Sequence, residues 1–262
     1  MQTDMTVGKP MKMLLNFTIP VFLGNVFQQL YSMADAVIVG KFVGTKGLAA
    51  VGATGTITFL IIGFLMGVTT GVTVLTSQKF GAGRMDEMRK TVGNAAILSA
   101  VIAVVMTAVS MLGMHRLLVF MHTPEDIFDG AYGYIMIICA GIFTQVLYNL
   151  VSSILRALGN SKTPLYFLIL AAGLNIVLDL VFIIFFHWGA PGAAWATVIS
   201  QGVSGVLCLI YMWKAVPELK MKKEDWYFNR DIAVKQISVG IPMGLQYSIT
   251  AIGGMMVQSS LN

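Results

Sequence analysis

Six long apolar windows, followed by the beginning of a seventh, recur along this 262-residue chain and constrain its fold more than any other feature. A helix that crosses the hydrocarbon core of a bilayer needs about 20 mainly apolar residues. Each of the six windows exceeds that length, and only 11% of all residues are charged, against about 25% in soluble domains. The windows cover residues 13–39, 48–77, 92–114, 131–155, 164–186 and 189–213, and the seventh begins after Lys235.

The basic residues divide unevenly between alternate loops. Of the 17 Lys and Arg residues, only Lys41, Lys46 and Arg116 fall in one set of loops, and all others fall in the second set. Short loops rich in Lys and Arg stay on the cytoplasmic side of a membrane. The sequence therefore predicts an all-α, multi-pass protein of the cell membrane (plasma or bacterial inner), with a cytoplasmic N-terminus and outward-running helices 1, 3 and 5.

Several function classes find no support in the sequence. Cys139 and Cys208 lie inside apolar windows, without a CxxC spacing or a neighbouring His, so they are predicted to pack rather than to form a disulfide or bind metal. The basic residues form short patches between windows, so we expect no nucleic-acid partner. The sequence contains no GxxxxGK[ST] motif, the phosphate-binding loop of an ATP-driven pump. We expect neither enzymatic activity nor a cofactor.

Two acidic residues, Asp35 and Asp179, lie inside apolar windows, whereas the other ten of the twelve lie in loops or at helix ends. Placing a carboxylate in the membrane costs about 2.5–3.5 kcal/mol on insertion scales. Such a group therefore normally faces a protein interior or a wet cavity, where it marks a substrate or ion pathway. A hydrogen-bonded packing role for each acid is the alternative.

Both acids are predicted to lie at a similar depth. With a rise of 1.5 Å per residue, Asp35 lies about 9 Å inside Lys41, and Asp179 lies about 12 Å inside His187. Thr197, eight residues into the sixth helix from Gly189, reaches about 12 Å. Polar neighbours share their helical faces, because residues four or seven positions apart are stacked. These neighbours are Gln28 and Tyr31 for Asp35, and Asn175 for Asp179.

A cluster of this kind has two chemical uses. Burial away from water favours the protonated form of a carboxylic acid, which allows a proton to be carried. Alternatively, oxygens of Asp, Asn and Thr are the hard ligands that Na⁺ would require. Either use predicts a cation-coupling site, while a polar network between helices is the plainer alternative. The predicted ion-coupling residues are Asp35, Asn175, Asp179 and Thr197.

Pro20 lies in the first helix, fifteen residues before Asp35. Proline removes one backbone hydrogen bond and can kink a helix. Pro20 therefore marks either a point about which the first helix bends when Asp35 changes its protonation state, or a static kink filled by packing.

Three segments resemble recurrent signatures of the multidrug and toxic compound extrusion (MATE) transporters. They are "QKFGAGRMDEMRKTVGNA" at 78–95, "LRALGNSKTP" at 155–164 and "GAPGAAWATVIS" at 189–200, in the order and at the spacing typical of that family. Each alone is weak, since close helix packing favours Gly and Ala in any membrane protein. Their order, together with acids in helices 1 and 5, makes the resemblance specific.

The resemblance implies a twelve-helix antiporter with two six-helix lobes around a central cavity. Such a protein exports cationic or amphipathic compounds in exchange for H⁺ or Na⁺. It implies ion coupling at Asp35, Asn175 and Asp179, and a bending first helix at Pro20. It also implies that polar positions of the N-terminal lobe site are filled by Gln28, Tyr31 and Thr197, with Asn149 as a further candidate from the fourth helix.

The chain is about half as long as this architecture requires. We expect residues 1–213 to form one six-helix lobe, 214–235 a cytoplasmic linker with an interfacial character, and 236–262 the start of a second lobe that is otherwise missing. Two similar segments support this division: "NFTIPVFLGN" at 16–25 and "SVGIPMGLQY" at 238–247 share Ile-Pro after a basic stretch, as transporters built from repeats do. The expected partners are therefore the lipid bilayer, small cationic or amphipathic substrates and a C-terminal lobe.

The sequence leaves three other functions to consider. A flippase for lipid-linked sugars belongs to the same wider superfamily, but its pyrophosphate cargo favours a basic cavity, and no Lys or Arg lies inside the six windows. A half-transporter that does not transport is the second. An intramembrane aspartyl protease needs two membrane acids that share a proton, but the sequence contexts Met-Ala-Asp35 and Val-Leu-Asp179 differ from the Tyr-Asp and Gly-x-Gly-Asp of such enzymes.

Overall fold

A computed structural model describes residues 10–261, apart from the side chains at 250, 251 and 254–261. The described residues are almost entirely helical and include no β-strand. They form eight α-helices, a π-helical turn and two 3₁₀ turns. The α-helices are α1 (Pro10–Phe42), α2 (Thr45–Gly81), α3 (Met85–Phe120), α4 (Glu125–Ala140), α5 (Ile142–Ala157), α6 (Lys162–Leu180), α7 (Gly189–Ala215) and α8 (Arg230–Leu261).

Six membrane spans are consistent with these helices. Five of them (α1, α2, α3, α6 with its π-helical extension, and α7) are long and apolar enough to cross a bilayer. Together, α4 and α5, which meet at a bend of 47°, are long and apolar enough for a sixth span. The predicted all-α membrane fold is therefore confirmed. The cytoplasmic position of the N-terminus, the lobe boundaries at 213 and 235, and the membrane-spanning character of the seventh helix stay predictions.

The fourth predicted window, 131–155, is broken at Gly141 rather than forming one straight helix. A Cβ atom at this position would lie 2.2 Å from Val198 Cγ2, so the α7 side chain occupies the space at the break. Thr144 Oγ1 donates to the Gly141 carbonyl over 2.8 Å and satisfies an acceptor there. A glycine at the break and an inserted side chain are common causes of a sharp helix bend.

Small residues let α7 lie at the centre of the bundle. Ala193, Ala194 and Ala196 are fully buried, and α7 packs against α4, α5 and α6. Close approach of backbones replaces the hydrophobic driving force that lipid does not provide. Cys139 and Cys208 are buried free thiols in the two apolar clusters of this core, as the sequence predicted.

The most extensive helix contact in the described part of the chain joins α2 to α8 through glycines. A Cβ atom on Gly71 would lie 2.5 Å from Gly240 Cα, and one on Gly67 would lie 2.5 Å from the Met243 carbonyl oxygen. The two backbones therefore touch directly. Buried Gln236 of α8 strengthens the contact, because its Nε2 donates to the carbonyl oxygens of Val72 (3.0 Å) and Thr91 (2.8 Å).

The connection between α7 and α8 is docked on α3. Asp225 is buried, accepts a hydrogen bond from the Lys222 backbone N–H over 2.7 Å, and lies 3.7 Å from Arg89 Nε. Asn94 of α3 accepts from the Asn229 backbone N–H over 3.2 Å. The aromatic side chains of this connection, at 226–228, remain exposed. α8 begins at Arg230, so residues 230–235 at the end of the predicted linker are helical.

Candidate functional site

The two embedded acids meet inside the bundle. Asp35 of α1 is 8% exposed, Asp179 near the end of α6 is fully buried, and their side chains are within hydrogen-bonding reach of each other. Since α1 packs along α6, residues at similar depth on the two helices face one another. Two carboxylates in contact repel strongly in an apolar interior, so the pair needs a shared proton or a bound cation to balance its charge.

Asn175 lies one turn before Asp179 and holds its carboxylate. In the amide orientation that satisfies both atoms, the Asn175 nitrogen donates to Asp179 Oδ2 over 3.0 Å. Its oxygen then accepts from the Thr197 backbone N–H over 3.3 Å. The opposite orientation would direct the amide oxygen at the carboxylate. Asn175 is fully buried and so connects α6 to α7 at the depth of the acid pair.

Tyr31 and Thr197 close the site on the α1 and α7 sides. Tyr31 precedes Asp35 by one turn, and its hydroxyl donates to Thr197 Oγ1 over 3.0 Å. Ser200, one turn further along α7, donates to the Thr197 carbonyl oxygen over 3.0 Å. The structure thus brings together five of the residues singled out in the sequence: Tyr31, Asp35, Asn175, Asp179 and Thr197.

One oxygen of each acid remains unpaired. Asp35 Oδ1 and Asp179 Oδ1 are buried and have no hydrogen-bond partner among the described residues. A buried polar atom without a partner is costly. These two oxygens are therefore the acceptors that a proton or a small cation would satisfy. Within the described residues, no cluster of three or more His, Cys, Asp or Glu side chains exists. A Na⁺ ion would therefore also need neutral oxygens, from the Thr197 hydroxyl and from Asn175 after its amide turns its oxygen away from the Thr197 N–H.

Tyr134 and the π-helical turn are site features that the sequence analysis missed. Tyr134 of α4 is buried and lies close enough to Tyr31, Asp35 and Asp179 to interact with them electrostatically. The sequence did contain one indication of this role, namely a polar hydroxyl within the fourth apolar window. The π-helical turn, Val181–Phe185, begins two residues after Asp179. Such turns occur frequently at functional sites.

Three other predicted positions stand apart from the acid pair's hydrogen bonds. Gln28 is half-buried on α1, two turns before Asp35. Asn149 lies on α5, where its amide donates to the Gln145 carbonyl oxygen over 2.8 Å. Neither makes a hydrogen bond to the aspartates within the described part of the chain. Pro20 is buried within α1, which continues through it as one helix; bending at Pro20 stays a prediction.

Apolar spans around a buried, hydrogen-bonded acid pair define a class, the multi-pass helical membrane proteins with an intramembrane ionisable site. Comparison with known families then assigns the chain. The MatE family model matches residues 20–181, more than half of the sequence, so the chain belongs to the MATE family. The resemblance seen in the sequence is confirmed.

Curated relatives extend the match over nearly the whole chain. The probable multidrug resistance protein YpnP of Bacillus subtilis is 32% identical over 261 residues, which cover 99% of this chain and 58% of that protein. The probable multidrug resistance protein NorM of Thermotoga maritima is 27% identical, over 95% of this chain and 54% of that protein. The chain therefore spans about half the length of the curated relatives it matches.

Solved structures show the same arrangement of helices. A MOP superfamily transporter from Pyrococcus furiosus, described as having a binding pocket of reverse polarity, matches with a TM-score of 0.85 and 28% identity. That match covers 92% of this chain and 53% of the other. A multidrug resistance MATE family transporter in its inward-facing conformation matches with a TM-score of 0.81 and 28% identity, over 88% and 53% of the two chains.

Proposed function

We propose that this chain forms the ion-coupling lobe of an antiporter that exchanges H⁺ or Na⁺ for cationic or amphipathic compounds. The observation that carries the proposal is the contact between Asp35 and Asp179 inside the apolar bundle. The two acids lie on different helices, and each has one oxygen free to accept a proton or coordinate a cation.

Charge balance provides the coupling. Without a bound cation the two carboxylates repel, and a proton or Na⁺ between them holds α1 against α6. Release of that cation weakens the attachment of α1, and Pro20 provides the position at which α1 bends. A cationic substrate is attracted to the same negative charge, so its binding and the binding of the ion oppose each other.

The charge pattern favours positively charged cargo. No Lys or Arg lies within the six apolar windows, and the partly buried Arg89 and Arg156 lie at helix ends. An apolar interior with two carboxylates attracts cations and repels phosphate-bearing cargo. This pattern supports export of cationic compounds over the flipping of lipid-linked sugars.

Alternating access requires a second lobe. A cavity between two lobes opens to one side of the membrane and then to the other, while the ion site stays within one lobe. The close contact of α8 with α2 is where this chain would join such a lobe. The chain spans about half the length of its relatives. The proposed transport therefore requires this chain to be combined with a C-terminal lobe.

The test is efflux of a fluorescent cationic dye from cells that express the protein from its gene, under imposed H⁺ or Na⁺ gradients. The variant is Asp35→Asn, and the control is Asp129→Asn, which changes an exposed acid in the same way. We expect Asp35→Asn to abolish efflux while Asp129→Asn preserves it, and the gradient that drives efflux identifies the ion. Equal efflux by wild type and Asp35→Asn, at equal amounts in the membrane, would sink the proposal.

A further inference from the structure

A cavity remote from the acid pair lies where α1 begins, α6 begins and α7 ends. Its volume is about 590 Å³. Asn16 of α1 lines it and precedes Asp35 by 19 residues, about 28 Å along the helix. The cavity is therefore separate from the proposed coupling site, and its function can be tested independently.

The start of α6 presents unpaired donors to this cavity. Asn160 caps the helix, since its Oδ1 accepts from the Thr163 N–H over 3.1 Å and its Nδ2 donates to Thr163 Oγ1 over 2.9 Å. The backbone N–H groups of Ser161 and Lys162 have no backbone acceptor in the described chain. Pro164 carries no N–H. Two N–H groups are thus left at the positive end of a 19-residue helix, which favours an anion.

Ser161 adds an independent indication of a ligand. The residue is 5% exposed, lines the cavity, and makes no side-chain hydrogen bond within the described chain. The Ser161 hydroxyl thus faces the cavity without a hydrogen-bond partner among the described residues, and it is free to bond to a polar group that enters there.

The charge around the cavity is positive. Lys162 lines it and forms no ion pair in the described chain, and the first turn of α6 contains no acid. The described residues that line the cavity include no Asp or Glu. Lys12 adjoins the lining residue Met13, and Lys214 follows the lining residue Tyr211 by one turn. This surplus suits a phosphate group, which accepts hydrogen bonds from N–H, hydroxyl and ammonium donors together.

The remaining walls are apolar. Phe17 of α1 and the Phe167–Tyr211 pair, with ring centroids 6.0 Å apart, line the cavity beside the polar groups. Tyr166 is 65% exposed at its edge. A ligand that fills this space therefore combines an anionic head with an apolar body. We propose that the cavity binds a phosphate-bearing amphiphile, with its phosphate at Ser161 and Lys162 and its apolar part against Phe17 and Phe167.

The test is native mass spectrometry of the purified full chain, titrated with phosphatidylglycerol or with phosphatidylcholine of the same acyl chains. Lys162→Glu is the variant and Lys220→Glu is the matched control, because both change an exposed lysine to an acid at the same end of the bundle. An acid in the first turn favours a helix, so Lys162→Glu is expected to fold. Ser161→Ala provides a second variant that leaves the charge unchanged.

We expect phosphatidylglycerol to be retained in preference to phosphatidylcholine, and Lys162→Glu to lower that retention about tenfold, as removal of one charge-assisted contact does. Ser161→Ala should lower it less, and Lys220→Glu should leave it unchanged. Competition by glycerol phosphate would show that a soluble phosphate ester also satisfies the site, and its failure to compete would restrict the site to lipid. Equal retention of both lipids, or equal loss in Lys162→Glu and Lys220→Glu, would overturn the proposal.

Discussion

At the scale of single residues, the acid pair is stabilised by neutral groups rather than by an opposite charge. Asn175 donates to Asp179, and Tyr31 and Thr197 bond to each other across α1 and α7. No Lys or Arg forms an ion pair with either aspartate within the described residues. A permanent ion pair would compete with an exchangeable cation. Neutral surroundings therefore leave the two carboxylates available to such a cation.

The hydrogen bond between Tyr31 and Thr197 can be tested by removing the Thr197 hydroxyl. Thr197→Val keeps the shape of the side chain but removes the acceptor of the Tyr31 hydroxyl, which also leaves that hydroxyl partly buried with one partner fewer. We expect a loss of about 0.6–1.5 kcal/mol, the range for a hydrogen bond between membrane helices or in a protein interior. Thermal unfolding in detergent, followed by circular dichroism, measures the difference.

Thr58→Val is the matched control. The Thr58 hydroxyl on α2 is buried and has no partner among the described residues, so replacing it with a methyl group removes a desolvation penalty and should be neutral or stabilising. If both variants lower the unfolding temperature equally, the bond between Tyr31 and Thr197 contributes nothing specific.

At the scale of secondary-structure elements, the close contact of α2 with α8 depends on glycines, which have no side chain to keep the backbones apart. Gly67 and Gly71 on α2 face Gly240 and Gly244 on α8, and any Cβ on Gly71 would meet backbone atoms. Backbone cannot rotate away as a flexible side chain can, so a single added methyl must separate the helices.

Gly71→Ala should therefore destabilise the protein, by about 1–3 kcal/mol, the range found for overpacked cores. Gly55→Ala is the control on the same helix: its added Cβ meets no atom within 4 Å, and replacing a helical glycine by alanine should stabilise by about 0.5–1 kcal/mol. Thermal unfolding of the two variants gives the comparison. Equal unfolding temperatures would mean that α8 is only loosely attached to α2.

At the scale of the whole molecule, the connection from α7 to α8 is fixed to the bundle rather than free. Asp225 is buried between the Lys222 backbone and Arg89, and Gly93 leaves room for it, because a Cβ there would lie 2.1 Å from the Asp225 carbonyl oxygen. The sequence predicted a linker with an interfacial character. The structure adds that this linker packs against α3 before α8 begins.

Removing the Asp225 carboxylate should release this connection. Asp225→Ala breaks a hydrogen bond and leaves Arg89, whose side chain is 17% exposed, without this partner. Bonds to charged groups contribute about 1.5–3 kcal/mol, and 1.4 kcal/mol corresponds to a factor of ten. We expect trypsin to cleave after Lys220, Lys222 or Lys223 at least about tenfold faster than in wild type.

Glu224→Ala serves as the control, because Glu224 is exposed and next in sequence. Its cleavage rate should match that of the wild type. A connection that is cleaved equally fast in wild type and in both variants would not be docked on α3.

Local properties of the sequence determined the membrane class, the six spans and the similar depth of Asp35, Asp179 and Thr197, because hydropathy and a rise of 1.5 Å per residue do not depend on neighbouring helices. The tertiary structure alone decided the bend at Gly141, the π-helical turn after Asp179, the approach of Tyr134 to the acids and the cavity at Ser161. Each of these depends on which side chains meet across helices, such as Val198 against Gly141. Hydropathy cannot report such contacts, since a bent and a straight apolar window have the same composition.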